Sequence, residues 1–129
     1  MSTTPEQKQR ELGTTSGGLQ PNLAAALAYV LTVITGIIFY VIEKENKYVR
    51  FHAMQSILFG AVWIVLWIVL SIISTALLFV PVVGWIITAV IYLVLGLGGF
   101  ILWLFLMYKA YQGEKFKLPI VGDIAEKNA

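Results

Sequence analysis

The run Asn46-Lys47-Tyr48-Val49-Arg50-Phe51-His52-Ala53-Met54-Gln55-Ser56 holds the most chemically versatile side chains in this sequence. On a helix, His52, Gln55 and Ser56 stand at i, i+3 and i+4 and share a face, with Arg50 and Met54 in the neighbouring row. A histidine could pass a proton. Proton or ligand handling would need a second titratable group inside the apolar runs, and they contain none. The face therefore reads as structural: an arginine whose stem lies along apolar surface, a hydrogen-bonded histidine, and Asn46 as the helix cap. Arg50 falls in a first helical turn, where the macrodipole disfavours a cation. An acidic partner is expected, Asp123 first, with Glu43 and Glu126 competing. Arg50, His52, Gln55 and Asp123 form the candidate structural polar cluster.

Other chemistry is excluded residue by residue. With no cysteine there is no disulfide, thiolate nucleophile or zinc ribbon. One histidine does not make a metal site. No carboxylate pair or nucleophile–base pair stands out. Gly96-Leu97-Gly98-Gly99 lies inside an apolar run with no strand before it, so it is no dinucleotide loop. A net charge of +2 is too small to argue for nucleic acid. No enzyme activity, cofactor, metal or nucleic-acid partner is expected.

The elements that carry the cluster follow from composition. The 129 residues are 59% hydrophobic and 12% charged, with mean hydropathy +0.84, against nearer 25% charged in soluble domains. No charge falls between Glu11 and Glu43, nor between Arg50 and Lys109. A bilayer core about 30 Å thick takes roughly 20 helical residues. The first gap holds one span. The second would be about 87 Å long as one helix and must fold back, at Val80-Pro81-Val82-Val83-Gly84. The expectation is an all-α integral membrane protein: three transmembrane helices, about 22–43, 50–79 and 82–110, in a small bundle within residues 22–113, the last two forming a hairpin. Cutting at Gly96–Gly99 to make four spans leaves pieces of roughly 14 residues, too short to cross. Residues 1–21 read as a flexible polar tail. Residues 114–129, after Gly113 as the expected helix C-cap, are apolar enough to dock on the membrane surface.

Basic residues favour the cytoplasm. Lys44, Lys47, Arg50, Lys109, Lys115, Lys117 and Lys127 would share one side of three spans, against Lys8 and Arg10 on the other. That places the N-terminus outside and the C-terminus in the cytoplasm of a cell-membrane protein. Ala24, Ala28, Thr32 and Gly36 form a stripe of small residues, and Ala89, Gly96 and Gly99 another, so helices can approach closely. These stripes suit a close-packed bundle and are compatible with a homo-oligomer or a membrane-protein partner. The lipid bilayer is the partner the composition requires.

Two stretches carry a resemblance: Lys-Tyr-Val-Arg-Phe-His-Ala-Met-Gln-Ser at 47–56, and Gly-Glu-Lys-Phe-Lys-Leu-Pro-Ile-Val-Gly-Asp-Ile-Ala-Glu-Lys at 113–127. Together they resemble a small prokaryotic membrane-protein family of unknown function. That family includes MamF-type magnetosome membrane proteins and is described as similar to the twenty-kilodalton component of the Tic translocon. The resemblance spans about residues 22–127 and implies a multi-pass membrane protein. The residues favour a non-enzymatic scaffold or assembly subunit. The resemblance favours the alternative, a component of a protein-translocation or small-solute transport pathway.

Overall fold

The computed structural model describes residues 12–129; the charges of the tail at Glu6, Lys8, Arg10 and Glu11 lie outside the described residues. Five helices follow residue 20: α1 (Pro21–Leu27), α2 (Val33–Ile42), α3 (Lys47–Leu77), α4 (Val83–Tyr111) and α5 (Val121–Lys127). No strand occurs among the described residues.

The helices expected at 50–79 and 82–110 are present as α3 and α4, each long and apolar enough to cross a membrane. At 1.5 Å per residue they are about 46 and 43 Å long. Asn46 caps α3, its side chain accepting from the Val49 N–H at 3.2 Å. Gly113, in the left-handed region at φ 83, ends α4. There the Glu114 N–H turns back to the Lys109 carbonyl at 3.0 Å, satisfying one of the carbonyls a helix end leaves open.

The α3–α4 turn and the start of α5 are built alike, and the sequence shows why. Val80-Pro81-Val82-Val83-Gly84 and Leu118-Pro119-Ile120-Val121-Gly122 have one pattern. In each, the residue after proline lies in the left-handed region, Val82 at φ 65, ψ −63 and Ile120 at φ 66, ψ −56. The next N–H then reaches the proline carbonyl at 2.7 Å in both places. These are γ-turns of the rarer hand, strained for a β-branched residue. The glycine that follows is required by space. A Cβ on Gly84 would stand 2.0 Å from the Leu77 carbonyl oxygen, and one on Gly122 would stand 2.5 Å from the Lys117 Cβ.

The first expected span, 22–43, is not one helix. It is α1 and α2, of opposite direction, joined by a bend at Ala28–Thr32 with Thr32 at φ 48 and each packed on α3. Thr35 ties this bend, its hydroxyl donating to the Ala28 carbonyl at 2.8 Å and accepting from the Leu31 N–H at 3.1 Å. The Ser56 hydroxyl of α3 meets the carbonyls of Ala28 and Thr32, both at 2.8 Å. α2 then returns along α3 at close range. A Cβ on Gly36 would lie 2.9 Å from the Ala53 oxygen, and one on Gly60 would lie 2.3 Å from Val33 Cγ2. The bend reaches the level of Gly60, about 20 Å along α3 from Lys47. The segment leaves where it entered, since Ser16 before α1 is bonded to Glu43 after α2. The length of this apolar run suggested a span, but length does not distinguish one full crossing from two half-length helices.

The C-terminal tail makes a second, shallower fold-back. It descends along α3 from Glu114 to Leu118, turns at Pro119–Val121, and rises as α5 until Asn128 accepts from the Tyr40 hydroxyl at 2.7 Å. The two fold-backs enclose only the first half of α3. Its buried residues lie between Tyr48 and Gly60, with Leu70 the sole exception.

Candidate functional site

The polar face of α3 is where the two fold-backs meet. Its first turns are wholly enclosed: Val49, Phe51, His52, Ala53, Gln55 and Ser56 have no exposed surface. A polar group so placed must find a partner, and here the partners are backbone groups of the flanking segments.

His52 Nε2 lies 3.0 Å from the Glu114 carbonyl oxygen and Nδ1 lies 2.7 Å from the Tyr29 hydroxyl. A carbonyl only accepts, so Nε2 carries the proton and Nδ1 accepts from Tyr29. The Tyr29 oxygen then accepts from Gln55 Nε2 at 2.9 Å. The other Nε2 proton goes to the Phe116 carbonyl at 2.9 Å, and Oε1 accepts from the Leu118 N–H at 3.0 Å. Tyr29, Tyr48 and Phe51 close edge-on around the imidazole, with ring centroids 4.7 to 5.5 Å away. His52 and Gln55 thus replace, for an irregular stretch of tail, the hydrogen bonds a helix would have supplied.

Arg50 is bound by a helix end rather than by a carboxylate. Its guanidinium donates to the carbonyls of Tyr40 and Glu43 at 2.9 and 2.8 Å and lies 4.1 Å from the centre of the Tyr40 ring. These are the open carbonyls at the C-terminus of α2, the negative end of its dipole. The expected pairing of Arg50 with Asp123 is therefore corrected: α2 supplies the negative potential. Asp123 stands outside the cluster, 81% exposed and 3.9 Å from Lys117. Lys117 also pairs with Glu126, so the charges of α5 are matched by the tail beside it.

Glu43 organises the entry side. It is 3% exposed. One oxygen accepts from the Ser16 N–H at 2.7 Å; the other accepts from the Ser16 hydroxyl and the Asn46 N–H at 3.0 and 2.9 Å. Burial pushes its pKa up, but the N–H groups of Asn46, Ser16 and Glu45 and the Ser16 hydroxyl outweigh that and hold the carboxyl below its usual value. Asn46, besides capping α3, donates to the carbonyls of Leu12 and Thr14. Of the expected cluster, the structure joins His52 and Gln55, places Arg50 on the neighbouring row and leaves Asp123 out. Tyr29 joins the network without having been expected there, and Glu43, expected as a competing carboxylate partner of Arg50, gives it a backbone carbonyl instead. The available signals were a tyrosine inside the first apolar run and an acid at its border.

Beside the bend, an open cleft of about 450 Å³ lies between α3 and α4, with Val30, Leu31 and Thr32 of the bend on its wall. Trp63, Trp67, Trp103 and Phe100 line it with Gly96 and Gly99. Its walls carry no charged group, and it offers little purchase for a polar substrate. No group of metal-binding side chains occurs among the described residues.

Residues 19–125 match the model of the MamF/MmsF family, described as the magnetosome magnetite crystal formation protein family, and the chain belongs to it. It is 54% identical to a UPF0132 membrane protein of Methanocaldococcus jannaschii over 117 residues, 90% of this chain and 94% of that protein. It is 46% identical to a UPF0132 membrane protein of Archaeoglobus fulgidus, over 84% of this chain and 95% of the other. A second M. jannaschii protein of that name is 37% identical over 85% of this chain and 71% of its own length. No solved structure matches the chain significantly. The chain is thus a membrane protein of a family without a known activity; these likenesses do not support the similarity to the Tic component.

Proposed function

We propose that this member of the MamF/MmsF family is a non-enzymatic structural subunit of a cell membrane, a scaffold with two full crossings and two fold-backs inserted from one face. The observation that carries this reading is the saturation of the polar cluster. Every hydrogen-bonding atom of His52 and Gln55 is committed to the chain's own Tyr29, Glu114, Phe116 and Leu118. Such a network holds segments in place and leaves nothing to bind or transform a solute. A conducting path would need polar or ionisable groups along the membrane interior, and the far half of α3 and α4 offers Ser71, Ser74, Thr75 and Thr88, which bond to their own helix carbonyls, and the Tyr92 hydroxyl, which pairs with Ser74.

With α1–α2 entering and leaving at one level, both ends of the chain belong on one side, in place of the opposite sides that three spans would give. The seven basic residues among the described ones then share that side, and the Phe79–Val82 turn on the other has none. By the positive-inside bias that side is the cytoplasm.

Purified protein in lipid vesicles tests the scaffold reading. The expected result is ion and small-solute flux no higher than in protein-free vesicles, with a discrete homomeric or hetero-complex mass after mild solubilisation. Flux that depends on the protein would establish the transport-pathway alternative instead.

A further inference from the structure

The distribution of chain between the two halves of the membrane is unequal. A plane through His52 cuts α3 and α4, and beside them the α1–α2 fold-back, the descending tail and α5. At that level His52 meets Tyr29 and Glu114, Lys115 lies over the Phe51 ring, Gly36 of α2 comes close to Ala53, and α5 packs on α3. A plane through Ser74 and Tyr92, which touch at 3.1 Å, cuts α3 and α4 alone. Each helix is about 10 Å across with its side chains, so the molecule is far broader in one leaflet than in the other.

The outer face of the first fold-back is apolar and therefore belongs among acyl chains rather than above them, whereas the second carries exposed charges, Asp123 and Lys117 among them, and is apolar at its turn. On α2 and its bend, Leu31, Ile34, Ile37, Ile38, Val41 and Ile42 are exposed, and at the tail's turn Ile120 is 76% exposed. Neither fold-back reaches the far leaflet: the first ends level with Gly60 and the second level with Gln55, about 20 and 12 Å along an α3 of about 46 Å.

We infer that the protein is a wedge that recognises membrane curvature. Its partner is a lipid surface convex on the side that carries both chain ends. Apolar segments inserted into one monolayer expand that monolayer, and such binding is curvature-sensitive. This inference rests on the two-crossing reading above, but not on which side is cytoplasmic.

The chain has no cysteine, so one label can be introduced at either end, by Ser2→Cys or Ala129→Cys. Each labelled full-length protein is reconstituted into phosphatidylcholine–phosphatidylglycerol vesicles of mixed diameter, and a membrane-impermeant quencher reports, vesicle by vesicle, which labels face out. The expected result is that the ratio of outward-facing to inward-facing ends rises as diameter falls, equally for both labels. A ratio independent of diameter, or one that falls in small vesicles, overturns the wedge. Opposite trends for the two labels would show the ends on opposite sides, which overturns the two-crossing reading and the wedge with it.

Discussion

The N–H and hydroxyl of Ser16 both bond to the Glu43 carboxylate, at 2.7 and 3.0 Å, across an apolar segment long enough to span a bilayer. That one relationship turns an apparent crossing into a fold-back. It also ties Ser16 to a single titratable group.

The Glu43 carboxyl is held below its usual pKa by hydrogen bonds that outweigh burial. A carboxyl whose pKa is lower folded than unfolded stabilises the folded state above its unfolded pKa, near 4.3. That stabilisation is lost as pH falls through the folded value. Acidification below the ordinary glutamate pKa, about 4.3, should therefore loosen Ser16, seen as faster hydrogen exchange at the Ser16 amide. Glu43→Ala should show that faster exchange already at neutral pH.

Arg50→Ala should destabilise the protein by about 1.5–3 kcal/mol, the range for hydrogen bonds to a charged group, because it strips the carbonyls of Tyr40 and Glu43 of their donor. Asp123→Ala should leave stability unchanged, since Asp123 is exposed beside Lys117. Thermal unfolding of both variants in detergent separates this from an Arg50–Asp123 pair, which would make the two equally costly.

Gln55→Leu should free the tail. It removes the partners of the Phe116 carbonyl and the Leu118 N–H, and each buried group left unpaired costs about 1–3 kcal/mol. Limited trypsin digestion should cut at Lys115 and Lys117 much faster than in the parent chain, while α3 and α4 remain intact.

The glycines of α4 should divide. A Cβ on Gly99 would lie 2.3 Å from the Trp63 ring, whereas Gly96 has open space. Gly99→Leu should cost about 1–3 kcal/mol by overpacking, read as lost thermal stability in detergent, and Gly96→Leu should cost almost nothing.

The long elements were legible because their signal is redundant. Between Arg50 and Lys109 there is one proline, Pro81, and the expected spans 50–79 and 82–110 differ from Lys47–Leu77 and Val83–Tyr111 by three residues or fewer. The bend at Ala28–Thr32 was not legible. Neither glycine nor proline marks it, and the left-handed residue is Thr32, held there by tertiary bonds from Ser56 and local ones from Thr35. Arg50 was read correctly as needing negative potential, but a sequence names carboxylates and not helix ends, so the C-terminus of α2 was overlooked. The paired Pro-Val-Val-Gly and Pro-Ile-Val-Gly turns were visible in the letters. Their common geometry emerged only from the backbone angles.

The sidedness of the two ends tests the account most directly. A reporter active only in the cytoplasm can be fused before Met1 in one version of the protein and after Ala129 in another. Both fusions should be active, as two crossings and the basic residues of the described chain on one side require. Activity from the C-terminal fusion alone would contradict this and restore a third crossing.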